Sequence, residues 1–458
     1  MSLFASRQAW QLPVQWPHGA MASDARLVAR DQLLKAAILF AMLTMTVLDR
    51  FGLLGLAGTG MLAMYALVGA MVLKGVAVLN FRAAFAYLAI VGAATLSLLV
   101  NAAFAPLPFF SATSLLLLIA LYAPFCVSLR QESVAPELWR WTVNLYIAFA
   151  VFVGVAGIMQ FFVQFVFDPP WLFNYTPLIP EPLRTPAATV FNTVHNMDEA
   201  SRGGAWTKSN GFFMREPSYF SVVMAFGLVC ELSLARRKWV MSVLILGLML
   251  SYSGSGLLCL AVALLFPLGR ATAVRVLAFV AVATTLFVLF ADALHLSYTL
   301  NRVEEFNSPR SSAYCRIIQP AVEVVQRIDS NPWSALLGHG PGSWVRMVTG
   351  CADSIQTTYA KILFEYGVLG ALAFGVWMFG ALSRSSAPVR IRVAWAVAWL
   401  PISGAMLDPM YLLFIYIVSA MWPPDTARKL NSGAPGRDAQ RFSFQAPKSN
   451  IGGSGHSR

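Results

Sequence analysis

Charge is scarce in this chain. Only 12% of its 458 residues are Asp, Glu, Lys or Arg, while 58% are hydrophobic. A soluble domain carries about 25% charged residues, so this balance excludes an ordinary solvated enzyme and fits a polytopic membrane protein. Histidine is sparse as well. His18, His195, His295, His339 and His456 are scattered and no CxxC occurs, which speaks against a metal site built from close-spaced ligands. Of five cysteines, Cys126, Cys230 and Cys259 fall in or beside apolar runs and read as small core residues. Cys315 and Cys351 share one long polar segment, where a disulfide is chemically allowed. No internal repeat is visible, which argues against the pseudo-symmetric build of many transporters. The glycine-rich "GHGPGSW" (338–344) lacks a following Gly-Lys-Ser/Thr and is neither a nucleotide P-loop nor a dinucleotide fingerprint. It reads as a tight turn that lets backbone approach a ligand or a neighbouring helix.

What the chain does have is apolar runs, at 33–48, 53–73, 83–104, 107–128, 141–167, 217–235, 239–252, 255–268, 274–293, 357–381, 393–406 and 409–422. They predict an all-α polytopic membrane protein with about 12 transmembrane helices. Several runs are short for a span of about 20 residues. The stretches 239–268 and 393–422 are each split only by a short polar break, so tilted helices or a re-entrant hairpin stay open there. The first run starts near Leu33 with no small-residue cleavage site behind it and reads as a retained span. With both termini cytoplasmic, 22 of the 33 Lys and Arg residues fall inside. The formal charge of +12 then reflects membrane topology and not nucleic-acid binding. Residues 1–31 form a basic cytoplasmic N-terminal segment, 32–422 the transmembrane domain, and 423–458 a Gly-, Ser- and Pro-rich cytoplasmic tail.

Two long external loops interrupt the bundle, about 168–216 and 294–356. Loops of this length in a compact bundle usually carry function. The first ends in "FFMREPSYF", where Arg215 and Glu216 stand directly before an apolar helix. Proline suits the first helical position, which makes Glu216 the expected N-cap of a helix from Pro217. The free N–H groups of that helix start favour an anion, and Arg215 adds a guanidinium fork suited to phosphate. A helix cap beside an interfacial arginine explains the pair equally well when it is taken alone. The second loop holds Arg302, Arg310, Arg316, Arg327 and Arg346 with no lysine among them up to Gln356. Arginine is the residue for bidentate phosphate contact. Residues 311–328 pattern as an amphipathic helix lying on the surface or capping the bundle. His339 is a candidate acid or base, Asp353–Gln356 a capping box, and Lys361 and Glu365 an i, i+4 ion pair. Loop aromatics, among them Trp171, Tyr175 and Trp344, could stack on sugars or anchor at the interface.

Taken together, "GFFMREPSYFSVVMAFGL" (211–228), "SYSGSGLLCLAVALLF" (251–266), "SSAYCRI" (311–317) and "LLGHGPGSW…TTYAKILFEYGVLGALAF" (336–374) resemble the O-antigen ligase and polymerase superfamily. The likeness covers about 200–375. It implies a GT-C-like helical glycosyltransferase of the bacterial inner membrane, with its long loops periplasmic. The substrate would be an undecaprenyl-diphosphate-linked oligosaccharide, used without metal, nucleotide sugar or other cofactor. Arg215 and Arg316 occupy the places of the family's diphosphate-holding arginines, with Arg302 and Arg310 near enough to share the role. The His-Asn pair usual in ligases is replaced here by Gln356 and Thr357. That departure favours a Wzy-type polysaccharide polymerase of the exopolysaccharide branch over a ligase, with Glu216 the first candidate base and His339 the second. A chain-length regulator and a flippase are the protein partners the resemblance implies. A ligase using another acceptor, or a polysaccharide transporter, are the rival readings.

Overall fold

The computed structural model describes residues 32–53, 57–104, 110–130, 136–167, 169–184, 207–234, 236–266, 314–330, 332–348, 357–385, 387–402 and 405–420, with the single positions 274, 285, 307 and 309. The two terminal segments, nearly all of the run 274–293, the capping box 353–356 and Arg302 and Arg310 lie outside the described residues.

The protein is mostly helical. In chain order the main helices are α1 (Gln32–Thr46), α2 (Thr59–Leu73), α3 (Phe81–Phe104), α4 (Ala112–Tyr122), α5 (Pro136–Val163), α6 (Pro217–Leu234), α7 (Lys238–Leu250) and α8 (Gly254–Leu265). Then follow α9 (Gln319–Ser330), α10 (Pro332–Leu337), α11 (Ser343–Met347), α12 (Thr358–Arg384), α13 (Val389–Val397) and α14 (Pro409–Ala420). Two small antiparallel ribbons tie helix ends, Gly52–Leu53 with Ala57–Gly58 and Ala77–Leu79 with Val127–Leu129. A backbone in lipid must bond to itself, which selects helix for apolar runs of this kind. Every predicted run except 274–293, which lies almost wholly outside the described residues, carries a helix. Among the described residues, four helices are long and apolar enough to cross a membrane: Phe81–Phe104, Leu138–Val163, Pro217–Leu234 and Thr358–Ser383. Six more apolar helices fall between 10 and 17 residues. Helix length by itself therefore accounts for four crossings and leaves the figure of twelve to other arguments.

Because these helices are apolar nearly all round, small residues rather than stripes decide where they approach. On α8, Gly256 lies so close to α6 that an added Cβ would overlap the Ser221 carbonyl, and Gly256 N donates to Ser221 Oγ at 3.0 Å. On α2, a Cβ at Gly60 would stand 2.8 Å from the Pro409 backbone at the start of α14. Close approach through small residues is the usual way helices gain packing in lipid. An aromatic cluster of Tyr122, Phe125, Phe374, Trp377, Trp399 and Tyr416 fills the centre between α4, α12 and α14.

The glycine-rich turn proves to be a helix clasp. Helix α12 is interrupted at Gly367, which adopts φ 62° and ψ −162°. The carbonyls freed before that break accept from the turn: His339 N bonds Phe364 O and Gly340 N bonds Glu365 O, each at 2.9 Å. Gly338, Gly340 and Gly342 all have positive φ, as the path requires. The expected helix in loop two forms as a turn at Tyr314–Ile318 running into α9. Cys315 is disulfide-bonded, whereas Cys126, Cys230 and Cys259 are free thiols. Cys351 lies outside the described residues.

Gly256→Ala should lower stability by about 1–3 kcal/mol through overpacking against α6. Gly254→Ala, where an added Cβ meets nothing within 4 Å, is the control. Thermal unfolding of the purified protein in detergent compares the two.

Candidate functional site

Three helix ends meet at one cluster. Asp49 follows α1, Arg215 precedes α6, and Asp408 precedes α14. Arg215 Nε bonds both oxygens of Asp49, at 3.1 and 3.0 Å, and its own backbone N–H donates to Asp49 Oδ2 at 3.0 Å. Its Nη2 lies 3.0 Å from Asp49 Oδ1 and 3.1 Å from Asp408 Oδ2. The Asp49 side chain is fully buried, while those of Arg215 and Asp408 keep 12% and 13% of their surface exposed. Burial alone would depress the Arg215 guanidinium, but Asp49 and Asp408 overcome it and hold its pKa above the ordinary arginine value. Burial pushes the Asp408 carboxyl upward against the pull of Arg215. The Arg215 fork also lies over the Tyr219 ring, 4.9 Å from its centroid.

Two of the three helix ends share one design. α6 starts Glu216-Pro217 and α14 starts Asp408-Pro409. Glu216 takes the N-cap position, as the sequence predicts, and its carbonyl accepts from Phe220 N at 3.2 Å. Its carboxylate accepts from the Ser218 hydroxyl at 2.7 Å. Asp408 Oδ1 accepts from Met410 N at 2.8 Å, a side-chain cap on α14.

Beneath the cluster, Arg50 is only 1% exposed. Its Nη1 donates to Asn174 Oδ1 at 2.9 Å and Thr176 Oγ1 at 2.8 Å. Its Nη2 donates to Phe173 O at 3.1 Å and to Met214 O. Neutral acceptors thus hold this cation, and burial lowers its pKa. Tyr175 covers it with its ring centroid 5.0 Å away, and burial pushes the Tyr175 hydroxyl up to about 12, so it stays neutral. Arg50 therefore pins the first loop to the residue before Arg215. From α5, Gln160 does the same: Oε1 accepts from Ser209 Oγ, Asn210 N and Phe212 N, and Nε2 donates to Leu172 O and Asn210 Oδ1. Asn210 Nδ2 in turn reaches Phe173 O at 2.8 Å, the carbonyl that Arg50 also holds.

The predicted residues are distributed unevenly around this centre. Arg215 and Glu216 stand in it. His339 stands at the turn after α10, its ring packed on Phe364 with centroids 4.9 Å apart. Arg316 lies in the turn leading to α9, and its side chain is outside the described residues. Lys361 Nζ approaches Glu365 Oε1 at 3.9 Å, as the i, i+4 spacing predicts. Asp49, Arg50, Asp408, Gln160 and Asn210 are additions that sequence reasoning passed over. A signal existed for three of them. Asp49-Arg50 ends an apolar run much as Arg215-Glu216 begins one, and Asp408-Pro409 repeats the acid-proline start of α6.

Asp49→Asn leaves Arg215 short of its main counter-charge in a nearly closed site. We expect a stability loss of about 3 kcal/mol, partly recovered in Asp49→Asn/Arg215→Met, where no unpaired charge remains. Thermal midpoints of the purified single and double variants measure this.

Comparison with known proteins places the site in context. No curated protein matches the chain. A family model described as WcaD colanic acid polymerase matches residues 36–422, a range that includes Asp49, Arg215 and Asp408. The chain belongs to the WcaD colanic acid polymerase family.

Proposed function

We propose that this protein polymerises undecaprenyl-diphosphate-linked oligosaccharide repeat units into exopolysaccharide at the periplasmic face of the inner membrane. Family membership supports polymerisation of repeat units. The observation that carries the location is the convergence of Asp49, Arg215 and Asp408. Their contact puts the end of α1 and the starts of α6 and α14 at one end of the bundle. That is the end the distribution of Lys and Arg assigns to the outside, under a twelve-span arrangement with both termini cytoplasmic.

The charge balance refines the role of each arginine. Among the described residues of the cluster, Arg50 and Arg215 are two cationic groups against the three carboxyl groups of Asp49, Asp408 and Glu216. A diphosphate therefore needs further cations. Arg316, with Arg302 and Arg310, supplies them from the second loop, beside an Arg215 guanidinium already fixed in place by Asp49 and Asp408. In the reaction, a sugar hydroxyl of one lipid-linked repeat attacks the anomeric carbon of the other chain's reducing-end sugar. The bond to phosphate breaks, and undecaprenyl diphosphate leaves with the electron pair. Arginine charge and the N-terminus of α6 stabilise that leaving group. Glu216, at the mouth of the site, takes the hydroxyl proton, and His339 is the second candidate for that step. The sugar–diphosphate bond is already activated, so no ATP is consumed.

The test is polymer output from a deletion strain carrying wild type, Arg215→Ala, Arg316→Ala or Glu216→Gln at matched membrane abundance. Loss of polymer with accumulation of single lipid-linked repeats is expected for each variant, by about a hundredfold for Glu216→Gln. Undiminished polymer in the deletion strain itself would overturn the reading.

A further inference from the structure

Three residues before Arg215, the backbone does something costly. Phe212 adopts φ 66°, the left-handed region that bulky side chains avoid, and follows Gly211 at φ 70°. Such a conformation persists only where its surroundings over-determine it, and such residues gather at ligand sites. The surroundings here do so. Phe212 N donates to both Gln160 Oε1 and Asn210 Oδ1, at 3.2 and 3.1 Å, and those two side chains are themselves buried and bonded to each other. The ring this backbone presents stacks on Tyr175 of the first loop. Phe212 is partly exposed, whereas Met214 and Phe220 nearby are fully buried.

What the strain achieves is a layered stack. The Phe212 ring lies nearly parallel to Tyr175, at 20° with centroids 5.2 Å apart, and the Arg50 guanidinium lies on Tyr175 at 5.0 Å. Phe213 meets the Phe212 ring edge-on at 86°. The same scaffold holds both the ring and the diphosphate candidate, because Arg50 bonds the carbonyl of Met214, the residue before Arg215. A flat, braced aromatic surface at the rim of an ionic site is the shape that receives the apolar face of a pyranose ring.

We propose that Phe212, backed by Tyr175, is a sugar-stacking platform that seats the saccharide next to the diphosphate of the lipid-linked repeat. The proposal rests on the polymerase reading above and adds to it the surface that recognises the sugar. Phe212 binds and orients the substrate and takes no part in proton transfer.

The experiment uses full-length protein in nanodiscs and lipid-linked repeats extracted from the deletion strain, with elongation rate followed against repeat concentration. Phe212→Leu keeps apolar bulk at the same strained position and removes the flat face. It should raise the half-saturating concentration about tenfold, the equivalent of one aromatic contact of about 1.4 kcal/mol. Phe212→Tyr, which restores a flat face, should recover most of that loss. Should Phe212→Leu fail to fold, Phe212→Asn replaces it, since asparagine accepts positive φ and likewise lacks an aromatic face. An unchanged half-saturating concentration in the folded variant overturns the platform while wild-type elongation leaves the polymerase reading standing. A wild-type protein that elongates nothing overturns both.

Discussion

The clasp of Arg215 by Asp49 and Asp408 is the constraint on which this end of the helix bundle depends. The three residues are far apart in the chain, each at a helix end, and each is surrounded by apolar sequence. A lone buried charge there would be expensive, so each makes the others necessary. Satisfying them draws α1, α6 and α14 together at one level. The packing details agree with that demand: Gly60 lets α2 close on Pro409, which directly follows Asp408, and Gly256 lets α8 close on Ser221 one turn into α6. Bundle geometry and site geometry are thus two consequences of one ionic contact.

A second tier of polar bonds extends the clasp into the first long loop. Arg50, next to Asp49, ties together residues 173–176 and 214, and Gln160 reaches out of α5 to hold residues 209–212. Neither residue meets a formal opposite charge through these bonds; the partners are neutral groups. Such a densely bonded network is rigid, and rigidity is what a transfer site needs if it is to fix reacting groups before the chemistry. The strained backbone at Phe212 is tolerated because this frame leaves it no other path.

Electrostatics divides the labour between the two loops. The first loop and the helix ends supply a preorganised seat of paired charges, and under the proposed function the arginines of the second loop would supply the positive charge a diphosphate requires. The second loop is anchored separately, through the glycine turn that hydrogen-bonds into the break of α12 at Gly367. Substrate charge would then join two parts of the protein that the fold holds by different means.

By itself the sequence determined what depends on local composition. Apolar runs had to become helices because lipid leaves the backbone no other partner, and Pro217 behind Glu216 had to open one. The start of α6, the Lys361–Glu365 pair and the tight glycine turn were legible for that reason. Only the tertiary structure decided which charges meet. Asp49 and Asp408 lie 166 and 193 positions from Arg215, and no spacing rule links residues on different helices. The faces of these helices were equally hidden, since helices apolar on every side carry no periodicity to read. Close contacts at Gly60 and Gly256 set those faces, and the bonds of Gln160 set the first loop; both come into being only when distant segments pack.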